Sequence, residues 1–148
     1  MRAKKLSAIL LGVVLSLGFL GGCAMFAPPV FDASLAPKAD NLFVALFATN
    51  QTKLSAANLA TVKAAQTAFA TNHANFIIVA GHTDTSGSAA VNLALSARRT
   101  AAVRAALVAA GVPQTAIIVK FFGESQPTLA TPNGVPAAAN RRVIMLVR

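Results

Sequence analysis

The chain has 148 residues, of which 55% are hydrophobic and 11% are charged, a length that fits one domain and leaves no room for a second. The formal net charge of +9 favours partners that carry negative charge. A single cysteine excludes an intramolecular disulfide and a cysteine-based metal cluster, and a chain without tryptophan or tyrosine has little for base stacking, so we expect no nucleic-acid partner.

The first 22 residues have the pattern of a secretion signal. Residues 1–5 are cationic, and residues 6–20 form an apolar stretch of 15 residues, shorter than the roughly 20 needed to span a bilayer. The sequence that follows, LGGC, resembles the lipobox of bacterial lipoproteins, in which the cysteine is lipidated and becomes the mature N-terminus. The resemblance implies a signal peptide over residues 1–22 and lipidation of Cys23. The alternative is an ordinary signal peptide cleaved elsewhere, with Cys23 incidental.

Residues 23–40 are predicted to be the lipidated cysteine and an extended tether, because residues 24–40 contain three prolines and show neither a helical nor a strand period. Ala24 follows the cysteine, and by the lipoprotein resemblance the lack of an aspartate at that position indicates the outer membrane. Loss of residues 1–22 lowers the formal charge from +9 to +6. A folded domain is expected over residues 41–148, long enough to bury one core.

Within this domain, apolar runs alternate with helical patterns. Gly81 is expected to end the second of four strands, which are predicted at residues 42–48, 76–80, 117–122 and 142–147. Two helices, capped by Ser55 and closed by Gly111, are predicted at residues 56–71 and 88–110. The first helix is expected to bury a stripe of four residues, Leu59, Val62, Ala65 and Phe69.

Residues 124–139 contain three prolines and are expected to be an irregular excursion before the last strand. The order of elements predicts an α+β fold, a two-layer sandwich in which both helices cover one face of a mixed four-stranded sheet.

The domain carries a series of motifs in a fixed order: GHTD at residues 81–84, Asn92 and Arg99 in the second helix, GESQP at residues 123–127 and NRRV at residues 140–143. This series resembles the OmpA-like peptidoglycan-binding domain, which is shared with the peptidoglycan-associated lipoprotein. The resemblance covers about residues 42–148. Its specificity lies in the order and spacing of the motifs, since GHTD alone would be a weak signal.

The resemblance implies a site for the free end of meso-diaminopimelate, which presents an ammonium and a carboxylate on one carbon. A zwitterion of this kind is matched by a carboxylate and by a planar fork of N–H donors. The resemblance assigns Asp84 to the ammonium and Arg99 to the carboxylate. Supporting contacts are assigned to Asn50, Thr83, Asn92 and Arg141, the last because alternation along a strand directs only one arginine of the 141–142 pair at the site.

Each of these residues also has an ordinary structural interpretation. Asp84 could satisfy loop amides or cap the second helix, Arg99 could be a solvated helix residue, and Asn50 could only form a turn. His82 is expected to be structural, and Glu124 is expected to fix the excursion. The chain also departs from the family: Ala48 stands near Phe47 where an acid is frequent, and residues 133–137 lack the commoner arginine, so a basic contact from that loop is expected to be absent.

We expect no catalytic activity, no cofactor and no metal. His82, Asp84 and Ser86 are too close in one loop to act as a relay, and no G-x-S-x-G motif is present. The resemblance implies a lipoprotein on the periplasmic face of the outer membrane, held to the bilayer by acylated Cys23 and bound non-covalently to peptidoglycan. The alternative is a lipoprotein of a Tol-type envelope complex that acts mainly through protein contacts.

Overall fold

A computed structural model describes residues 41–148 of the chain. The predicted signal peptide, Cys23 and the tether lie outside the described residues. The elements in chain order are β1 (Leu42–Leu46), α1 (Ala56–Thr71), β2 (Ile77–His82), α2 (Ala89–Ala109), β3 (Ile117–Gly123) and β4 (Arg142–Val147). Short 3-10 turns at Gln114–Ala116 and Ala138–Asn140 precede β3 and β4.

The four strands form one mixed sheet in the order β1-β4-β2-β3. β4 is antiparallel to both β1 and β2, whereas β2 and β3 are parallel. Residues on one face of the sheet, such as Val79 and Met145, are fully buried with Val103 and Leu107 of α2. This arrangement confirms the predicted α+β class. The strands and helices of the described segment bury a core of their own within residues 41–148.

Helix α1 has the predicted bounds, and α2 is one residue shorter at each end than predicted, because Ser88 caps the helix rather than belonging to it. The Ser55 hydroxyl accepts a hydrogen bond from the Asn58 N–H at 3.1 Å, and the Ser88 hydroxyl accepts one from the Val91 N–H at 3.4 Å. Gly111, just beyond α2, has φ +98°, which a residue with a side chain adopts only with strain. Within residues 41–148, neither helix combines the length and apolar character required to cross a membrane.

Two details of the core were predicted wrongly. Leu59 is 51% exposed, while its neighbour Asn58 is buried, because the Asn58 side-chain amide donates to the Leu46 carbonyl at 3.0 Å and turns that face of α1 inward. Gly81 does not end β2, which continues through His82 while pairing with β3 and β4. Gly81 is required because α2 crosses the strand there: a Cβ at Gly81 would lie 2.5 Å from the Ser96 carbonyl oxygen.

Candidate functional site

The motifs meet at one end of the sheet, where β1 and β2 finish and β4 begins. β1 ends at Leu46, two residues earlier than predicted, and the chain turns at residues 48–51 with a Gln51 N–H to Ala48 carbonyl bond of 3.1 Å. The loop after β2 carries Asp84, and Arg141 immediately precedes β4. This topology brings residues from three distant parts of the chain to one place.

The carboxylate of Asp84 is almost completely enclosed by donors. Its Oδ2 accepts a hydrogen bond from Arg141 Nη1 at 2.9 Å and one from the Ala137 N–H at 3.2 Å, and its Oδ1 accepts one from the Ser86 N–H at 3.4 Å. Burial alone would raise the pKa of Asp84, but the hydrogen bonds from Arg141, Ala137 and Ser86 and the Arg141 charge outweigh it and lower the pKa. Asp84 is therefore ionised at neutral pH.

Arg99 lies on the buried side of α2 and is 0% exposed. Its guanidinium donates to three main-chain carbonyls, those of Gln51 at 2.9 Å, Ala48 at 3.0 Å and His82 at 3.3 Å. The guanidinium carbon also lies 5.1 Å from the centre of the Phe47 ring, within cation–π range. Burial lowers the pKa of Arg99 to about 10, so the side chain keeps its charge at neutral pH.

Arg141 and Arg142 point in different directions. Besides its bond to Asp84, Arg141 donates through Nε to the Phe47 carbonyl at 3.1 Å, and its side chain is 15% exposed. Arg142 lies on the face of the sheet opposite the helices, where it donates to the Gln126 carbonyl at 3.2 Å. Asp84, Arg99 and Arg141 therefore form one charged cluster, with Arg141 as its accessible cation.

The other predicted site residues surround this cluster at different depths. Asn50 is exposed and adopts φ +54° in the 48–51 turn. Thr83 is buried; its N–H donates to the Gly123 carbonyl at 2.8 Å, and its hydroxyl has no hydrogen-bond partner among residues 41–148. Asn92 is buried and donates to the Glu124 carboxylate, so it faces the excursion.

The excursion between β3 and β4 contributes contacts that sequence reasoning missed. The Asn140 amide oxygen accepts from the N–H groups of Thr128 and Leu129, each at 2.9 Å, and the amide nitrogen donates to the Leu129 carbonyl at 2.8 Å. The Thr85 hydroxyl donates to the Pro132 carbonyl at 3.0 Å. Asn140 belongs to the NRRV motif, but nothing in the sequence indicates that main-chain groups of the excursion are its partners.

His82 lies on the opposite face from the core and stacks on Phe122, with ring centres 5.3 Å apart. Burial, with a smaller effect of the nearby Arg142 charge, lowers the pKa of His82 to about 4. In the described part of the chain, neither His82 Nδ1 nor the Ser86 hydroxyl has a hydrogen-bond partner, so these residues form no relay with Asp84. Residues 41–148 also contain no group of three histidine, cysteine or acidic side chains placed to hold a metal.

A groove of about 310 Å³ borders the turn that holds Arg99. Its apolar lining includes Phe47 and Leu54, and its polar lining includes Gln51 and the exposed Lys53. The cluster of charges thus adjoins a surface with room for a ligand that extends beyond a single charged centre.

Comparison with known proteins gives the same family for sequence and fold. The curated relatives include the peptidoglycan-associated lipoprotein of Legionella pneumophila, 32% identical over 124 residues that cover 84% of this chain and 70% of the relative. Outer membrane protein A of Bordetella avium is 39% identical over 67 residues, which are 45% of this chain and 34% of that protein. The chain therefore spans about a third of that longer relative.

Among solved structures, the peptidoglycan-associated lipoprotein of Burkholderia pseudomallei superposes with a TM-score of 0.65 over 72% of this chain and 90% of that chain, at 24% sequence identity. The OmpA-like domain of FopA1 from Francisella tularensis gives a TM-score of 0.64 over 72% of this chain and 73% of that chain, at 19% identity. These likenesses bear out the fold. The profile of the OmpA family matches residues 46–142. The chain belongs to the OmpA family.

Proposed function

We propose that this protein binds peptidoglycan non-covalently through the free end of meso-diaminopimelate. Membership of the OmpA family and the similarity to a peptidoglycan-associated lipoprotein over most of the chain support this function. The observation that carries it is the cluster in which ionised Asp84 faces Arg141 at 2.9 Å with Arg99 behind them. One carboxylate and two guanidinium groups at one end of a sheet suit a zwitterionic ligand.

In this proposal the ligand ammonium takes a place beside Asp84 that Arg141 occupies in the free protein. Arg141, which is partly exposed, then turns its freed N–H groups to the ligand carboxylate, so charge stays balanced throughout. Arg99 supplies the second cation. Because no part of Arg99 is accessible, its direct contact with the carboxylate requires the 48–51 turn to move, whereas its charge acts through the low-dielectric interior without movement.

The remaining predicted contacts have supporting roles. Asn50 lies on the turn next to the groove. The Thr83 hydroxyl, for which residues 41–148 supply no hydrogen-bond partner, is adjacent to Asp84 in the chain. Asn92 acts indirectly, by holding Glu124 of the excursion. The groove of about 310 Å³ takes the neighbouring part of the stem peptide.

We further propose that the protein is a lipoprotein of the outer membrane, facing the periplasm. Residues 1–22 are removed as a signal peptide, Cys23 is acylated, and residues 24–40 are the tether to the domain. A single acyl chain anchors a protein only weakly, whereas two or more chains anchor it firmly. The lipoprotein pattern implies more than one chain on Cys23. The relatives named as lipoprotein and outer membrane protein support this location.

The test is calorimetric titration of residues 24–148 with two stem peptides, one containing diaminopimelate and one containing lysine, which keeps the ammonium and lacks the carboxylate. Charge-assisted hydrogen bonds contribute about 1.5–3 kcal/mol each. Asp84→Ala is therefore expected to lower the affinity for both peptides about ten- to a hundredfold. Arg99→Lys and Arg141→Ala are expected to reduce the preference for diaminopimelate. Arg98→Ala is the matched control, because Arg98 is an exposed cation beside Arg99.

The outcomes separate the parts of the proposal. One outcome is that Arg99→Lys keeps the full preference for the diaminopimelate peptide over the lysine peptide, while Arg141→Ala loses this preference. In that case Arg141 is the carboxylate contact and Arg99 only positions the turn. If Arg98→Ala reduces binding as much as Arg141→Ala, the protein is only a basic surface and the site is wrong. If isolated sacculi do not sediment the wild-type chain, the peptidoglycan function is wrong, and protein contacts within an envelope complex become the function to test.

A further inference from the structure

The face of the sheet opposite the helices is apolar and exposed. Three of its side chains, Leu42, Val44 and Ile118, are 45%, 42% and 41% exposed. The strand register joins them across the sheet: Leu146 pairs with Leu42 on one side and with Ile78 on the other, and Ile78 pairs with Ile118. We call six aliphatic side chains on this side the outer apolar face: Leu42, Val44, Ile78, Ile118, Ile144 and Leu146.

The charges at the rim of the outer apolar face are positive. Lys120 is exposed and pairs with Ala80 of β2, on the same side of β3 as Ile118. Arg148 follows the buried Val147 and by strand alternation lies on this side as well. Residues 41–148 contain nine lysines and arginines but only two acids, and both acids are hydrogen-bonded at the candidate site.

We propose that the outer apolar face docks on an anionic phospholipid surface. Its aliphatic side chains enter the interfacial layer, while Lys120 and Arg148 lie against the headgroups. An exposed aliphatic patch with a cationic rim has the two attractions that peripheral membrane binding combines, burial of apolar area and attraction to anionic lipid. Because neither acidic side chain of residues 41–148 is assigned to this face, an anionic surface is favoured over a neutral one.

A second copy of the chain fits this face less well than a membrane. Four strands about 4.8 Å apart and about 17 Å long give the sheet a flat footprint of roughly 320 Å². This footprint is small beside the roughly 800 Å² of accessible surface that each partner buries in a stable dimer. A two-fold interface between copies would also set one cationic rim against another, because both copies present the same surface. Charge complementarity therefore favours the lipid surface.

Docking through this face leaves the candidate site open. Asp84 and Arg141 lie at the end of the strands, not on the outer apolar face, so lipid and stem peptide occupy separate surfaces. The inference therefore goes beyond the proposed function and does not depend on it.

The experiment is co-sedimentation of unacylated residues 24–148 with vesicles, either pure phosphatidylcholine or an equimolar mixture with phosphatidylglycerol. We expect binding to the mixed vesicles and at least tenfold weaker binding to the neutral ones. Val44→Glu and Ile118→Glu, on opposite edges of the sheet, are each expected to reduce binding about tenfold or more. Lys120→Ala should reduce binding about fivefold, the usual effect of one cation near an anionic surface.

The controls lie on α1, away from the outer apolar face. Leu59→Glu makes the same chemical change as Val44→Glu at a side chain that is 51% exposed, and Lys63→Ala matches Lys120→Ala. Circular dichroism checks that each variant is folded. If Leu59→Glu and Val44→Glu weaken vesicle binding equally, or if neutral vesicles bind as tightly as mixed ones, the proposal is overturned.

Two further results would assign the face to another occupant and also overturn the proposal. One is a dimer by analytical ultracentrifugation that Val44→Glu converts to a monomer, with no vesicle binding by the wild type. The other is vesicle binding that begins only after deletion of residues 24–40.

Discussion

Arg141 and Asp84 form an ion pair of 2.9 Å between residues 57 positions apart in the chain, with side chains only 15% and 5% exposed. The same carboxylate oxygen accepts the Ala137 N–H, so the pair joins the loop after β2 to the segment that leads into β4. A ligand ammonium must compete with Arg141 for this oxygen. The free protein therefore holds the carboxylate ionised before any ligand arrives.

We expect this pair to contribute to stability through direct coupling. In a double-mutant cycle of Asp84→Asn and Arg141→Gln, the free energies of unfolding in urea should show a coupling of about 1–2 kcal/mol at neutral pH. Since the folded pKa of Asp84 is lowered, its contribution is present above the unfolded pKa and is lost as the pH falls through the folded pKa. Strictly additive free energies at neutral pH would contradict the pairing.

His82 should make the domain less stable in mild acid. Its pKa falls from 6.5 to about 4 on folding, so between these pH values the unfolded chain binds the proton and the folded one does not. The free energy of unfolding should therefore fall as the pH is lowered from 6.5 to 4, by up to about 3 kcal/mol from this group. Denaturant unfolding across this range should give a flatter profile for His82→Gln.

The exposed His73 provides the control for this measurement. Its φ of +50° is tolerated by asparagine, so His73→Asn should keep the fold and the steep profile of the wild type. A His82→Gln profile as steep as that of His73→Asn would mean that other groups cause the acid sensitivity.

The crossing of α2 over β2 should be intolerant of any side chain at Gly81. A Cβ there would overlap the Thr100 hydroxyl and lie 2.5 Å from the Ser96 carbonyl oxygen, so Gly81→Ala should destabilise the domain by about 3 kcal/mol or more. Gly134→Ala is the comparison, since nothing lies within 4 Å of its Cβ and only its φ of +80° opposes the change, at a cost of about 1 kcal/mol. Thermal unfolding ranks the stabilities of the two variants. Equal losses of stability would contradict the close approach of α2 to Gly81.

The proposed anchor is tested by Cys23→Ser in the full chain. This variant should accumulate as an unprocessed precursor that incorporates no labelled palmitate, because the serine hydroxyl does not replace the cysteine thiol as the acceptor of the lipid group. A variant that is still cleaved after residue 22 and still fractionates with the outer membrane would exclude lipidation as the anchor.

How far the sequence predicts this fold depends on how local the determining interactions are. The helix bounds depend on Ser55, Ser88 and Gly111, which act within a turn of the helix ends. The cap at Ser55 and the end before Gly111 were predicted, whereas Ser88 was predicted as the first helical residue and is the cap. The exposure of Leu59 was missed because it depends on Asn58 reaching the Leu46 carbonyl, twelve positions away in the chain.

The candidate site shows the same difference between local signals, which the sequence carries, and remote contacts, which it does not. The motifs indicate which residues matter, but their partners are largely main-chain atoms of remote segments. Arg99 donates to the carbonyls of Ala48 and Gln51, and Asp84 accepts the N–H of Ala137. Any residue type supplies such a carbonyl or N–H, so the sequence carries no signal for them. The roles assigned to Asp84, Arg99 and the residues around them remain predictions.

The bonds of Arg99 across 48 and 51 positions of sequence have a consequence for how the domain folds. Contacts between distant segments form only after the intervening chain has been brought together, so the charged cluster cannot assemble in any locally folded fragment. A ligand that requires the cluster will then bind the fully folded domain alone and slow its global unfolding, leaving the early steps of folding unaffected. The cluster also includes Arg141, which immediately precedes β4, so it is complete only after this C-terminal strand has joined the sheet.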